Sequence, residues 1–449
     1  MFERSISTRL EAWARKTDRK PLVIRGARQV GKTVAVRMFG ARFERFIELN
    51  LENTEDADQF RRGLSPADLW QSISLGHEGA DVPRDETLLF IDEIQACPEA
   101  IGSLRFFREE MPDLMVIAAG SLLEAVLSRE RISFPVGRIE FEVMRPLSFR
   151  EFLTATGRDD LLAVLHRIPV QEFAHARLLA AFHRYTLVGG MPEVVDTYAR
   201  TADIAALAGI LDDLMIGYLD DVARYARNDA LRSVIRHCIE QAPLEAGHRI
   251  KLEGFGHSRY RSREVGEAMK SLERAMLLTL VRPTTSTRSP LKPDHRKRPR
   301  LQFLDTGLVN HVAGLSGQYF AHRDLHAIHR GIVAEHVVGQ ELLAKSSRTL
   351  PGLLFWVREK SQSSAEVDYL VQHGVDPVPV EVKAGASGTL RSLHQFMDRS
   401  GLRWAVRLWS GGLQVEDART VAGSSYRLLS MPYYLAGWMD EYIDWAMSA

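Results

Sequence analysis

The stretch VIRGARQVGKTVAV, residues 23–36, places two glycines and a Lys-Thr pair between an apolar run and a helical pattern. Gly26 and Gly31 accept backbone conformations that let several amide groups converge on one anion. In the spacing G-x-x-x-x-G-K-T, Lys32 would reach the β- and γ-phosphates of a nucleotide, and the hydroxyl of Thr33 would bind Mg²⁺. The predicted phosphate-binding loop comprises Gly26, Ala27, Arg28, Gln29, Val30, Gly31, Lys32, Thr33 and Val34.

The residues on either side of this loop favour the same interpretation. Leu22–Ile24 has the apolar character of a short buried strand, and Val34–Phe39 has the pattern of a helix. A helix that begins at the loop directs the positive end of its dipole toward a bound phosphate. A glycine turn followed by a solvated lysine is the alternative, but it does not require a strand, a loop and a helix in this order.

The composition is typical of a globular protein with several domains. A chain of 449 residues exceeds the size of one core, and its 45% hydrophobic and 26% charged residues match soluble averages. The 58 basic residues balance the 58 acidic ones, so a nucleic-acid surface would need local clustering of charge. Two cysteines, Cys97 and Cys238, make no disulfide framework or four-ligand zinc site, and we expect a reducing cytosol.

The amino-terminal segment MFERSISTRLEAWARK predicts an amphipathic, charged helix without the apolar region of a signal peptide. The chain also has no run of 18 or more apolar residues, which a membrane-spanning helix would need. We therefore expect a cytoplasmic protein with no membrane partner.

Two acidic residues end the apolar segment TLLFIDEIQACP, residues 87–98. Asp92, at the carboxyl end of a buried strand, could hold Mg²⁺ together with Thr33, and Glu93 could polarise the attacking water. The alternative is a strand that simply reaches solvent at its end. Because the phosphate-binding loop lies upstream at a suitable distance, we predict that Asp92 is a metal ligand and that Glu93 and Lys32 are catalytic.

Ser121 ends a further apolar run, LMVIAAGS, residues 114–121. Its hydroxyl could bond to the γ-phosphate or to the attacking water, which makes Ser121 a candidate catalytic residue. It could equally cap a following helix, since Glu124 three residues later completes a capping box, and the two roles are compatible.

Arg138 lies at the start of a fifth strand-like run, PVGRIEFEVM, residues 135–144. It is our candidate for an arginine that stabilises transition-state charge, either within one chain or across a subunit interface. Arg129 and Arg131 are alternatives, and an ordinary surface ion pair would also explain Arg138.

Five apolar strands alternating with helical segments predict an α/β fold with a doubly wound, mostly parallel sheet. The segments GARQVGKT, LLFIDEIQACP and VIAAGSLL resemble those of the AAA-type P-loop ATPases. PVGRIEFEVMRPLSFREFL and LVGGMPEVV are similar to a narrower prokaryotic family, in which such a core precedes a C-terminal domain of unknown function. The resemblance implies an ATPase core over residues 1–155 that uses ATP and Mg²⁺. It also implies a homo-oligomer, because rings are common among such ATPases.

The middle of the chain has helical and then mixed patterns. Residues 156–230 resemble the small helical lid of such ATPases, and Gly189 and Gly190 could form a hinge or a simple turn between helices. Residues 231–310 contain short helices followed by two strand-like runs, which is the order of a winged helix.

The tip of the predicted hairpin, TTSTRSPLKPDHRKRPR, contains one acidic residue, Asp294, among many basic ones. A basic arm of this kind suits phosphate contacts and predicts salt-sensitive DNA binding with little dependence on sequence. A solvated or disordered loop is the alternative. The basic residues are Arg288, Lys292, Arg296, Lys297, Arg298 and Arg300.

Acidic residues interrupt two apolar runs near the C-terminus, AEVDYLV (365–371) and VPVEVKA (378–384). Two residues apart on one strand, Glu381 and Lys383 would share a face. Carboxylates from neighbouring strands can bind Mg²⁺ while a lysine stabilises phosphate charge, as cleavage of a phosphodiester requires. A surface Glu–Lys pair on an edge strand is the alternative.

The pattern D…E-x-K resembles the restriction-endonuclease-like fold, and Glu335 occupies the place of the helical acid that this fold often adds. The resemblance implies a nuclease-like α/β domain over residues 311–449. In it, Glu335, Asp368 and Glu381 would bind metal, and Asp368, Glu381 and Lys383 would be catalytic. Such a fold does not establish cleavage.

A second hypothesis is a nucleotide-dependent signalling or assembly switch whose C-terminal domain is an inert docking module.

A histidine series at helical spacing could bind zinc, but it lacks the glutamate that follows the first histidine in zinc peptidases, and we do not expect a site there. The series is His322, His326 and His329.

Overall fold

A computed structural model gives the fold of the chain. It describes residues 2–121, 134–135, 137–222, 226, 228–315, 332–345, 352–358, 365–383 and 389–448. Within these ranges, no helix combines the length and the apolar character that crossing a membrane would require.

The first sheet contains five strands, all parallel, in the order β2-β3-β4-β1-β5. Its strands β3 and β4 are almost continuously apolar, as is typical of parallel strands that are covered on both faces. The carboxyl ends of β3, β4 and β1 are neighbours at one edge of the sheet. The strands are β1 Leu22–Arg25, β2 Arg45–Asn50, β3 Thr87–Asp92, β4 Met115–Gly120 and β5 Glu140–Val143.

Helices cover both faces of this sheet. On one face, Val23, Leu89 and Ile91 belong to a core that also contains residues of α3, α4 and α5. On the other face, Ile24 and Phe90 belong to a larger core that includes residues of α1 and α2 and continues into the rest of the chain. These helices are α1 Ser5–Ala14, α2 Lys32–Gly40, α3 Thr54–Arg61, α4 Pro66–Leu75 and α5 Pro98–Glu110. The α/β architecture with a parallel sheet confirms the predicted fold class for this part of the chain.

The middle of the chain is helical, as the sequence predicts. Short 3-10 turns lie between some of its helices, and their apolar side chains join the larger core. The helices are α6 Phe149–Ala155, α7 Asp159–Leu165, α8 His175–Val188, α9 Pro192–Thr201, α10 Ala208–Asp220, α11 Asp229–Gln241 and α12 Ser262–Arg274.

A second sheet of eight strands has the order β12-β13-β11-β10-β9-β8-β6-β7. Strands β6 and β7 form the predicted antiparallel hairpin, but β6 also pairs in parallel with β8. The boundary predicted at residue 310 therefore crosses one continuous sheet. The strands are β6 Leu278–Thr284, β7 Arg300–Phe303, β8 Leu354–Val357, β9 Glu366–His373, β10 Asp376–Val382, β11 Trp404–Trp409, β12 Gln414–Arg419 and β13 Ser425–Pro432. The helices of this part are α13 Thr306–Val312, α14 Ile332–Lys345, α15 Arg391–Ser400 and α16 Met439–Ser448.

Buried hydrogen bonds connect the first sheet, the middle helices and the second sheet. The amide of Gly190 donates to Asp305 Oδ2 at 2.6 Å, and its carbonyl accepts from the amide of Leu147 at 2.7 Å. The amide of Phe149, at the start of α6, donates to Glu341 Oε1 at 2.9 Å. Because buried polar groups need partners, these bonds fix the positions of the three regions relative to one another.

The two glycines of the VGGMP segment are required by close packing. A Cβ atom on Gly189 would lie 2.1 Å from Asp305 Oδ1, and one on Gly190 would lie 2.2 Å from the carbonyl oxygen of Leu147. Gly189 also has φ +78°, which disfavours residues with side chains. Of the two sequence interpretations, this packing favours a tight turn over a hinge.

Candidate active site

The loop between β1 and α2 has the conformation that its glycines permit. Gly31 has φ +93°, in the left-handed region, and precedes the first turn of α2. Gly26 leaves no room for a side chain, because a Cβ atom there would lie 2.3 Å from the carbonyl oxygen of Met144. The loop therefore turns tightly over the end of β5 and directs the N-terminus of α2 into the cavity described below.

Lys32 is buried beneath this loop. Its Nζ donates hydrogen bonds to the carbonyl oxygens of Gly26 at 3.0 Å and Ala27 at 2.8 Å. Burial lowers the pKa of Lys32 to about 8, although the nearby carboxylates of Glu93 and Asp92 oppose that change. The ammonium group is thus poorly solvated, and a phosphate would be a stronger partner for it than the two carbonyls.

Thr33 and Asp92 meet at the carboxyl end of β3. The hydroxyl of Thr33 donates to Asp92 Oδ2 at 2.7 Å, while Asp92 Oδ1 accepts from the amide of Glu93 at 3.0 Å. Hydroxyl and carboxylate oxygens are the ligands that Mg²⁺ prefers, and a nucleotide-bound Mg²⁺ needs only one or two of them from the protein. The residues present fit this ion.

Glu93 is held in an unusual backbone conformation directly after Asp92. Its φ is +49°, which is rare for a residue with a side chain and is often found at functional sites. Gln95 donates a hydrogen bond from Nε2 to the Glu93 carboxylate. Burial raises the pKa of Glu93 above its usual value. The strained backbone and the glutamine together fix the direction of this carboxylate.

A cavity of about 670 Å³ opens over the loop. Its lining brings together Lys32, Thr33, Glu93 and Ser121, and Ser121 follows β4 directly. Two residues predicted for the hydrolytic centre, Asp92 and Arg138, are outside the lining, but the carboxylate of Asp92 contacts the lining residue Thr33. The complete lining consists of Phe2, Arg4, Arg28, Gln29, Gly31, Lys32, Thr33, Val34, Ala35, Met38, Glu93, Ser121, Pro192, Glu193 and Asp196.

Arg138 lies elsewhere. It is exposed, it does not line the cavity, and its Nε donates to Glu109 Oε1 at 2.7 Å on α5. A catalytic role within one chain would require Arg138 to leave this partner, whereas its exposure suits contact with another subunit. Glu124, Arg129 and Arg131 fall outside the described residues.

A second cluster of charged side chains lies in the eight-stranded sheet. It contains the three acids predicted as metal ligands, but it also contains Arg300 from β7. Arg300 Nη1 lies 3.3 Å from Glu335 Oε2, and Nη2 lies 3.4 Å from Asp368 Oδ1. Arg300 is therefore not part of a solvated basic arm, because its side chain is only 4% exposed.

Glu381 and Lys383 form an ion pair beside this cluster. Lys383 Nζ donates to Glu381 Oε1 at 2.6 Å. Burial, together with the negative charge of Asp368, raises the pKa of Glu381 to about 8. Asp368 Oδ2 accepts a hydrogen bond from the amide of Val382 at 2.8 Å. Strand β10 is buried at six of its seven residues, so it is not the exposed edge strand of the alternative interpretation.

The predicted metal site of the second sheet does not fit a metal ion in this arrangement. Within the described ranges, no group of three or more His, Cys, Asp or Glu side chains is placed to hold one. Two of the three predicted ligands contact the guanidinium of Arg300 instead. His322, His326 and His329 lie in the range 316–331, outside the described residues.

Comparison with known protein families shows what the segment that contains the first sheet is similar to. Residues 18–153 match the model of an AAA domain. This segment is less than a third of the chain and contains the loop, Asp92, Glu93 and Ser121. Residues 179–319 and 330–410 match two domains of unknown function, DUF8612 and DUF4143. No curated protein matches the chain.

Three solved structures are similar to the chain at low sequence identity. The Walker-type ATPase PABY2304 of Pyrococcus abyssi has a TM-score of 0.44 and 16% identity, covering 70% of this chain and 96% of that one. PCH-2 of C. elegans has a TM-score of 0.23 and 10% identity, covering 61% and 70%. The STAND protein PH0952 of Pyrococcus horikoshii, which has a tetratricopeptide repeat sensor, has a TM-score of 0.27 and 14% identity, covering 75% and 45%.

Residues from outside the AAA domain complete the cavity, and none of them is among the site residues predicted from the sequence. Arg4 donates from Nη1 to the carbonyl oxygen of Val30 at 3.1 Å. Pro192, Glu193 and Asp196 reach the cavity from α9. In the sequence, only the resemblance of LVGGMPEVV to a family motif pointed to a role for this segment. In the structure, the segment places α9 over the nucleotide loop.

The loop is also connected to the middle helices through Arg28. Its Nη1 lies 2.6 Å from Asp221 Oδ1 and 2.8 Å from Asp221 Oδ2, directly after α10. Hydrogen bonding to Asp221 raises the pKa of Arg28, although burial opposes that change. A nucleotide in the cavity would therefore lie next to an ion pair that connects the AAA domain to the helical segment.

The lowered pKa of Lys32 predicts how nucleotide affinity depends on pH. Only the protonated ammonium attracts phosphate, so the dissociation constant for ATP should rise by about tenfold or more between pH 7 and pH 9.5. Calorimetric titration at both pH values measures this change. Lys32→Arg is the matched control, because a guanidinium keeps its charge over this range. An unchanged affinity of the wild-type protein at pH 9.5 would contradict the prediction.

Proposed function

We propose that the chain is a Mg²⁺-dependent ATPase. The observation that carries the proposal is the bond of 2.7 Å between the hydroxyl of Thr33 and Asp92, with Lys32 and Glu93 beside it at one cavity. The match of residues 18–153 to an AAA domain supports nucleotide binding at this place.

Each residue of the cavity would have a distinct task. Bound Mg²⁺, held through Thr33 and Asp92, would neutralise charge on the β- and γ-phosphates. The ammonium of Lys32 would replace its two carbonyl partners with phosphate oxygens. The carboxylate of Glu93, fixed by Gln95, would accept a proton from the water that attacks the γ-phosphorus. Ser121 would orient that water or the γ-phosphate from the end of β4.

The test is release of phosphate from ATP by the full-length protein with Mg²⁺ and with a chelator. We expect turnover with Mg²⁺ only, and we expect Thr33→Ala to reduce it strongly because a metal ligand is lost. Thr54→Ala, at an exposed position in the first turn of α3, is the matched control. Equal turnover by Thr33→Ala and the control would contradict the assignment.

We further propose that the ATPase acts on DNA through the exposed basic residues of the segment 288–298. In support, Arg288, Lys292 and Arg298 are exposed, and α11, α12 and the β6–β7 hairpin follow the order of a winged helix. Arg288 also donates from Nε to the carbonyl oxygen of Ser400 at 2.7 Å, which holds this basic segment against the second sheet. Its remaining guanidinium nitrogens would be available to phosphates.

DNA should therefore stimulate ATP turnover, and the stimulation should fall steeply as salt increases. In the double variant Lys292→Ala/Arg298→Ala, the slope of log DNA affinity against log salt concentration should decrease by the amount that corresponds to about two phosphate contacts. Turnover without DNA should be retained. Arg61→Ala/Arg62→Ala, which removes two positive charges at exposed positions at the end of α3, is the charge-matched comparison. Turnover that is the same with single-stranded, duplex and branched DNA as without DNA would contradict this part of the proposal.

A nucleotide-dependent switch is the second candidate. The ion pair between Arg28 and Asp221 supports it, because a bound phosphate would compete for the guanidinium and release the helical segment. Slow turnover that DNA leaves unchanged is the expected result for a switch.

In either case, contact of the exposed Arg138 with the nucleotide of a second copy would require assembly. Light scattering with and without ATP measures that assembly.

A further inference from the structure

The charged cluster of the second sheet contains a positively charged side chain, that of Arg300. Besides its contacts with Glu335 and Asp368, the guanidinium of Arg300 forms an ion pair with Glu366 on β9. Nη1 also donates to the backbone carbonyl of Asp368 at 3.1 Å. Three acidic side chains, two from β9 and one from α14, therefore contact this one guanidinium, and Glu366 also forms an ion pair with Arg249 at 3.3 Å.

Aromatic rings enclose this guanidinium. The centroid of the Phe355 ring lies 5.0 Å from its central carbon, and that of Tyr369 lies 5.5 Å away. Burial alone would lower the pKa of Arg300, but attraction to Glu335, Asp368 and Glu366 raises it. An arginine does not lose its proton in a protein, so this charge is permanent.

Four of the six carboxylate oxygens of Glu335, Asp368 and Glu381 already have donors. Asp368 Oδ1 contacts Arg300, and Asp368 Oδ2 accepts from the amide of Val382. Glu335 Oε2 contacts Arg300, and Glu381 Oε1 accepts from Lys383. Glu381 Oε2 is buried without a hydrogen-bond partner, but a divalent ion at this place would have to displace Arg300 or Lys383 to reach a second carboxylate oxygen of Asp368 or Glu381.

We propose that Arg300 is the resident cation of this cluster and occupies the place that a divalent ion would have in a nuclease-like fold. The acids then hold the β6–β7 hairpin onto β9 and α14, and the C-terminal part of the chain does not cleave phosphodiesters by metal chemistry. Arg300 thereby ties the segment that matches DUF8612 to the segment that matches DUF4143.

Counting bound Mn²⁺ by electron paramagnetic resonance tests this proposal. The full-length wild-type protein and Glu381→Gln should bind the same number of ions without nucleotide, because no ion uses this carboxylate. Addition of ATP should increase the number by one in both proteins, which checks the nucleotide site separately. A nucleotide-independent ion that the wild type binds and Glu381→Gln loses would overturn the proposal.

Cleavage of plasmid DNA with Mn²⁺ gives a second, independent measurement. Wild type and Lys383→Ala should show the same background, since neither has a metal-activated water. Cleavage by the wild type that is lost in both Lys383→Ala and Glu381→Gln would overturn the proposal. If a variant folds poorly, cleavage by the wild type still tests the proposal. Metal-dependent cleavage by the wild type above that of a buffer control would contradict the proposal.

Discussion

Replacing Glu93 by Gln is expected to reduce ATP turnover by about 10² to 10⁴-fold while leaving nucleotide affinity nearly unchanged. A glutamine cannot accept the proton of the attacking water, but its carbonyl oxygen can still accept the hydrogen bond from Gln95. The cavity thus keeps its shape and loses its base. Single-turnover phosphate release, combined with calorimetric titration of ATP, separates the two effects.

The control for this variant is Glu55→Gln, which makes the same chemical change at an exposed position on α3. It should leave both turnover and affinity unchanged. Loss of nucleotide affinity in Glu93→Gln would show that the carboxylate supports binding and would contradict its role as a base. Burial raises the pKa of Glu93. As the pH decreases, wild-type turnover should therefore begin to fall at a pH above the usual titration range of a glutamate.

Replacing Arg300 by Met should destabilise the second sheet by about 3 to 5 kcal/mol at pH 7. Methionine fills much of the volume but leaves Glu335, Glu366 and Asp368 close together without their shared partner. Arg298→Met, two residues earlier and exposed, should change stability by no more than about 0.5 kcal/mol. Urea unfolding of the three proteins measures the difference.

The pH dependence of this loss identifies its cause. Burial and the charge of Asp368 raise the pKa of Glu335 to about 8 although Arg300 lowers it, so without Arg300 the pKa of Glu335 should be higher still. The folded variant then keeps the proton of Glu335 at pH values where the wild type has lost it, so its deficit should shrink as the pH falls from 9 to 7. A deficit that is equal at both pH values would indicate lost packing rather than unpaired charge.

The nucleotide site could be predicted closely because its signals are local in sequence. The glycine spacing fixes the loop, and alternation of apolar strands with helices fixes the parallel sheet, which brings Asp92 to Thr33 without further information. The carboxyl ends of neighbouring parallel strands must meet at one edge. Ser121 reaches the same cavity for that reason.

The environment of Arg300 could not be predicted in the same way. In sequence, it is the last of six basic residues in a segment rich in proline, a pattern that normally indicates a solvated loop. Only the pairing of β6 with β8 places β7 at the edge of the second sheet, where Arg300 meets acids 35 to 68 residues later in the chain. Pairings between distant strands leave no periodic signal in a single sequence.

The contributions of Arg4 and of α9 to the cavity were hidden for a similar reason. Arg4 directly precedes an ordinary amphipathic helix, and the segment LVGGMPEVV resembles a family motif without indicating a contact with the nucleotide. The close packing of Gly190 against Leu147, and the bond from its amide to Asp305, bring α9 over the loop. These contacts depend on three regions of the chain at once.

Above all, we propose that the loop of residues 26–34 binds a magnesium-bound triphosphate through Lys32. Calorimetric titration of ATP in the presence of Mg²⁺ into wild type and Lys32→Ala tests it most directly. We expect binding of one ATP per chain by the wild type and a loss of at least about 100-fold in affinity in Lys32→Ala, because the variant loses a charged hydrogen-bond donor to the phosphates. Equal affinities in the two proteins would contradict the account.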